Sequence, residues 1–168
     1  MKVKVLAIVM LVVGILITGC GGTNTSNPTP TPTATVEYIQ EPPQDVTWIN
    51  PGKVQVENFY AGATAEYTIT VHNGNDYSAK FIIKYRIPDH VGEGYSFPSD
   101  DVSNWITISG NDVNFNAYET KDILVSITMP EDATAPGKKW EFWISVIDDS
   151  QGGSIRTEQC VRWLITME

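Results

Sequence analysis

Beyond Trp48 the chain alternates between apolar and polar residues, and no eleven-residue stretch keeps the 3.6-residue repeat of a helix. Tyr67, Ile69 and Val71 point one way and Thr68, Thr70 and His72 the other, until Asn73-Gly74-Asn75-Asp76 turns the chain. A second strand sets Ala79, Phe81, Ile83, Tyr85 and Ile87 against Lys80, Lys84 and Arg86, and Pro88 ends it because proline cannot donate to a ladder. Short strands are expected at Trp105–Ile108 and Val113–Phe115, and a longer one carries Ile123, Val125, Ile127 and Met129 up to Pro130. The next puts Trp140, Phe142, Ile144 and Val146 on one face and Glu141, Trp143, Ser145 and Ile147 on the other. The last, Ile155 to Met167, puts Val161, Trp163, Ile165 and Met167 inward.

These final two strands read as a hairpin across the intervening Asp-Gly-rich turn. Placing Glu141 opposite Arg162 sets Trp140 against Trp163, Phe142 against Val161 and Trp143 against Cys160. Charge then meets charge and apolar meets apolar; a slip of one residue would undo this. About seven short strands separated by turns predict an antiparallel immunoglobulin-like β-sandwich.

The first 45 residues follow other rules. Lys2 and Lys4 precede an apolar run from Val5 to Ile17 that is short for a membrane span and reads as a secretory signal. It ends in Ile17-Thr18-Gly19-Cys20, which resembles the lipobox of bacterial and archaeal lipoproteins at every position. The resemblance implies lipid on the Cys20 thiol, cleavage just before it, and an extracytoplasmic, membrane-anchored product. The Gly-, Thr-, Ser- and Pro-rich stretch that follows has too little apolar surface to offset chain entropy and is expected to be an extended tether. The expected organisation is a signal peptide at 1–19, lipidated Cys20 and tether over 20–45, and one sandwich domain over 46–168.

The sandwich resembles the immunoglobulin-like accessory modules of microbial surface proteins, in the loose group that includes CARDB and NEW3-type domains. Gly62 leads a strand to Asn73-Gly74, a later strand ends at Pro130, and Pro136-Gly137-Lys138-Lys139-Trp140 opens the next. The chain departs from those modules at Ala117-Tyr118-Glu119-Thr120, where they usually carry Pro-Gly. Such modules space, display or bind, and the likeness implies no catalytic residue.

Composition narrows the function. Of 168 residues, 42% are hydrophobic and 10% aromatic, which is globular. Setting Lys2 and Lys4 aside leaves nine of the 11 basic residues against 20 acidic ones. Nucleic acid is therefore not an expected partner. Neither G-x-S-x-G, phosphate loop, HExxH nor CxxC occurs. His72 and His90 read as surface or turn residues, and Cys160 as a small packing residue. No catalytic residue and no cofactor beyond the Cys20 lipid are expected. Calcium would be sought first at Asp148 and Asp149, but their spacing lacks the alternation of a calcium loop, and solvated turns are expected.

Trp143 remains, a large indole on the outward phase. With Ile147, and with Ile82 and Leu124 on the outward phases of other strands, it suggests a second apolar surface. That surface is either covered, the segment before Pro51 being the first choice of cover, or used as a protein interface or sugar platform. The expected function is a lipid-anchored, non-catalytic sandwich contacting an extracytoplasmic protein. A carbohydrate-binding accessory module is the alternative, followed by a small envelope enzyme.

Overall fold

The computed structural model describes residues 32–37, 42–98, 100–131, 137–150 and 156–168. Cys20 and the leader lie outside them, as does most of the expected tether. The described strands are β1 (Thr33–Glu37), β2 (Trp48–Asn50), β3 (Lys53–Phe59), β4 (Thr64–His72), β5 (Ala79–Arg86), β6 (Ile106–Ile108), β7 (Asp112–Phe115), β8 (Thr120–Thr128), β9 (Lys139–Asp148) and β10 (Glu158–Met167). They form a six-stranded sheet, β1-β3-β10-β9-β5-β7, packed on a four-stranded sheet, β2-β4-β8-β6. All pairings are antiparallel except β3 with β10. The immunoglobulin-like sandwich is as expected; the extra strands are short or lie near the N-terminus.

Alternation places the core as predicted. Trp140, Phe142, Ile144 and Val146 of β9 and Val161, Trp163, Ile165 and Met167 of β10 are buried between the sheets, facing Ile69 and Val71 of β4 and Ile123, Val125 and Ile127 of β8. Trp163 stacks on Phe142 with 5.7 Å between ring centroids. Ile87 is the exception on its strand: it lies beyond the end of β5 and is exposed.

The β9–β10 register differs from the expected one by two residues. Arg162 faces Trp143, Trp163 faces Phe142, Ile165 faces Trp140 and Cys160 faces Ser145. A two-residue shift keeps every side chain on its predicted face, so the core is unchanged. It also places Trp163 flat against Phe142 and leaves the space opposite Trp140 to the slimmer Ile165. The Glu141–Arg162 ion pair survives as a diagonal neighbour, within reach of a guanidinium.

Two features extend N-terminal to the expected domain boundary at residue 46. β1, inside the expected tether, pairs with β3 from Thr33↔Glu57 to Glu37↔Lys53, is closed by a Lys53–Glu37 salt bridge of 2.5 Å, and packs Val36 against the core. Residues 42–47 cover the end of the sandwich where β4 meets β5. There His72, expected at the surface, is 3% exposed. Its Nδ1 lies 2.9 Å from Thr120 Oγ1 and its Nε2 2.8 Å from Gln44 O, and its ring stacks on Trp48.

The departure at 117–120 from the accessory-module pattern has a backbone consequence. Tyr118 has φ of 56° and is exposed. A side chain there meets the Cβ penalty of the left-handed region, which glycine avoids. Tyr118→Gly is expected to stabilise the domain by about 1 kcal/mol in urea unfolding, less the extra entropy glycine brings to the unfolded chain. Destabilisation would show that the tyrosine ring makes compensating contacts.

Candidate functional site

Two regions compete as the site: the outer face of the six-stranded sheet, where Trp143 lies, and the end of the sandwich covered by residues 42–47.

On the outer face, Trp143 stands between Arg162 of β10 and Arg86 of β5, its cross-strand partners. Beside it, Glu141 is 1% exposed although its strand phase points away from the core. Burial pushes the Glu141 carboxyl up, but its hydrogen bonds outweigh that and hold it below the ordinary carboxylate range. Arg162 donates from Nε at 2.9 Å and from a terminal nitrogen at 3.1 Å, the Gly92 N–H at 2.7 Å, and the Trp143 indole N–H at 2.9 Å. The cover is the loop between β5 and the 3-10 turn at Asp100–Trp105, not the segment before Pro51. The loop bends over the sheet at Gly92 and returns at Ser96, which exchanges backbone hydrogen bonds with Lys139 and Glu141. His90, which is exposed, comes edge-on to the Trp143 ring at 6.5 Å, and the Arg86 guanidinium lies 5.8 Å from its centre. Trp143 is thus half-buried and held in a polar network.

A second network adjoins it. Glu158 accepts hydrogen bonds from the buried Ser145 hydroxyl and from Arg86 at 2.5 Å, and the Ser145 hydroxyl, first, holds the Glu158 carboxyl below its usual range. Cys160 is half-buried with Sγ 3.5 Å from Ser145 Oγ. Ile82 and Ile147 are cross-strand partners on this same face, half-buried. Leu124 does not join them: it is exposed on the outer face of the other sheet. The expected single apolar surface is therefore divided between opposite sides of the molecule.

At the covered end, Asn73 is fully buried and ties two turns together by donating from Nδ2 to Tyr77 O at 2.9 Å and Asn116 O at 2.8 Å. The Tyr118 N–H reaches Asn75 O at 3.1 Å. This brings the exposed Tyr77 and Tyr118 onto linked turns, and the exposed Val46 lies beside Gly74. Between residues 45–47 and the β9–β10 end is a cleft with Phe81 and Val146 in its lining and Asp45, Asn75, Asp148 and Gln159 around them. Asp148 accepts from the Ser150 N–H at 2.9 Å and from the Ser150 hydroxyl, while Asp149 pairs with Arg156 at 2.9 Å. Among the described residues, no three metal-ligating side chains converge. Sequence reasoning pointed to Trp143 and missed this cleft, which is assembled from four separate chain segments.

No family model matches the chain, and no curated protein is detectably similar in sequence. Solved structures are similar in shape. A PapD-like domain of human CEP192 superposes with a TM-score of 0.54 at 10% identity, over 80% of this chain and 93% of that one. The fold is PapD-like. The periplasmic chaperone SfaE matches at 0.52 and 10% identity, over 73% of this chain and 58% of its own. A putative carbohydrate-binding protein from Bacteroides ovatus matches at 0.51 and 9% identity, over 71% of this chain and 36% of its own. The PapD-like sandwich thus spans little more than half of the chaperone and about a third of the Bacteroides protein. At these identities the likeness establishes fold alone.

Proposed function

We propose that the chain is an extracytoplasmic lipoprotein, anchored through Cys20, that presents a non-catalytic PapD-like sandwich to a protein partner at its far end. The polarity of the fold carries this reading. β1 enters beside Glu57, towards the Met167 end of β10, because β1 is antiparallel to β3 and β3 is parallel to β10. The cleft, Tyr77 and Tyr118 lie at the other end, roughly 30 Å away along a ten-residue strand. A tether leaving from Thr33 towards a membrane would therefore turn the cleft outward. The outer face of the large sheet is a weaker candidate because its indole and charged groups already satisfy one another. The chaperones among the structural neighbours make protein recognition a chemistry this fold supports. A sugar ligand is the second reading, favoured by the two exposed tyrosines on linked turns.

Cys20→Ser is expected to move the protein from the membrane to the soluble fraction, with the wild-type chain carrying acyl mass on its N-terminal cysteine; each buried methylene contributes about 0.8 kcal/mol. A wild-type chain without lipid would overturn the anchoring. A photoreactive residue at Tyr77 should form a protein adduct in the intact envelope that one at Leu124 does not. Equal labelling from both positions would remove the assignment of the partner to the far end.

A further inference from the structure

We infer that the cleft beneath Val46 receives a lysine or arginine side chain of the partner. This rests on the reading of the far end as a protein-contact site and names the chemistry of that contact. Its lining combines an apolar part with a rim poor in free donors. Val46, 46% exposed, supplies the accessible apolar surface along which the methylene stem of a long cationic side chain can lie, with the core residues Phe81 and Val146 closing the floor behind it. Around them, the amide donors are already engaged within the chain: Gln159 Nε2 donates to Thr47 O at 2.8 Å and Asn75 Nδ2 to Asn73 Oδ1 at 2.8 Å. Thr47 Oγ1 accepts from the Gly74 N–H at 3.0 Å. The Asp45 and Asp148 carboxylates, acceptors only, stand at the rim.

No lysine or arginine is among the described residues lining the cleft, and the nearby Arg156 is bound to Asp149. An anionic ligand would meet two carboxylates with no cation to offset them. A neutral apolar side chain would fill the hydrophobic part and leave the Asp45 and Asp148 charges without a cation, although Asp148 also accepts from Ser150 and, at 3.5 Å, from Asn75 Nδ2. An ammonium or guanidinium on an alkyl stem matches both halves. The formal charge of −9 over the whole chain favours the approach of a basic partner.

The test is an NMR titration of the full mature chain in detergent, with acetyl-Gly-Lys-Gly-amide as probe and the norleucine and glutamate peptides as controls. Saturable shifts are expected at the Val46 and Val146 methyls and the Gln159 side-chain amide, with norleucine giving less than a fifth of the change. Asp45→Asn, an exposed position outside the core, should weaken the lysine peptide about threefold, and Asp45→Asn with Asp148→Asn at least tenfold. Shifts that fail to saturate, lie away from the cleft, survive in both variants or appear equally with norleucine would overturn the inference. A protein adduct from Tyr77 in the envelope, with no lysine response in the cleft, would remove the cation and leave the display reading standing. Lysine binding without any adduct would do the reverse.

Discussion

Arg162→Met should cost the domain about 3 kcal/mol at neutral pH, the lower end of the range for removing one partner of a buried ion pair. The methionine keeps most of the side-chain volume, so packing changes little; the cost comes from Glu141, 1% exposed and left with a charge that only two N–H donors offset. The lower end applies because 43% of the Arg162 side chain meets solvent, which already weakens the pair. In the wild type, the folded Glu141 carboxyl titrates below its ordinary value. Its stabilisation is therefore complete above the unfolded value of about 4.3 and is lost as pH falls through the folded one. Without the guanidinium the largest lowering influence is gone, so the carboxyl rises relative to the wild type and protonation relieves the variant as the solution is acidified. The gap between the two proteins should be widest near neutrality and narrow towards pH 4. Adding Glu141→Gln to Arg162→Met should recover part of the stability, since the buried charge is gone while the single amide oxygen still accepts from one of the Gly92 and Trp143 N–H groups, which reach different carboxylate oxygens in the wild type. Urea melts across that pH range decide the matter; a gap that is constant with pH would mean that packing, not charge, explains the loss.

Gly74→Ala is expected to be nearly as damaging, about 2 to 3 kcal/mol, for a steric reason. A Cβ at Gly74 would sit 2.2 Å from the Val46 carbonyl carbon and 2.3 Å from the Thr47 nitrogen, both backbone atoms that no rotamer change can move. Residues 42–47 would have to lift, breaking the Gly74 N–H bond to Thr47 Oγ1 and straining those of Gln159 to Thr47 O and His72 to Gln44 O. The expected signature is a lower melting temperature together with new exposure of Trp48, seen as a fluorescence shift. Gly94→Ala is the control: its φ of 80° imposes backbone strain, but nothing lies within 4 Å of the added methyl, so only about 1 kcal/mol should be lost. A Gly74→Ala protein as stable as the wild type would mean that residues 42–47 do not lie against this turn.

The strands with clean alternation, β4, β5, β8, β9 and β10, were readable from the chain because half of each is buried and period two records that directly. β3 was not. Its apolar positions run Val54, Val56, Phe59, and the broken rhythm is a bulge: Val56 pairs with Ile165 but Phe59 with Met167, with Asn58 at φ of 56° between them. β1 was hidden by composition, since only Val36 of its five residues is even half-buried. The register of β9 on β10 was ambiguous in principle, because slips of an even number of residues leave every face the same. Glu141 misled for a related reason: strand phase says which side of a sheet a residue occupies, not whether a loop from residues 87–96 will lie across it. The cleft was the least legible feature, depending on chain segments that only the fold brings together.

The placement of β1 also has a mechanical side. With the membrane holding Cys20 and a partner pulling at the far end, force would enter the sandwich at Thr33 along the axis of β1. The rest of the sheet would be drawn the opposite way. That direction shears the five-residue β1–β3 ladder, loading its hydrogen bonds together instead of peeling them one by one. If the clip yields, residues 33–41 would join the stalk, and the load would pass to residues 42–47 at the opposite end of the sandwich. Among the described residues of that stretch, only Val36 packs against the core, so its release would leave the sandwich folded while the leash grew.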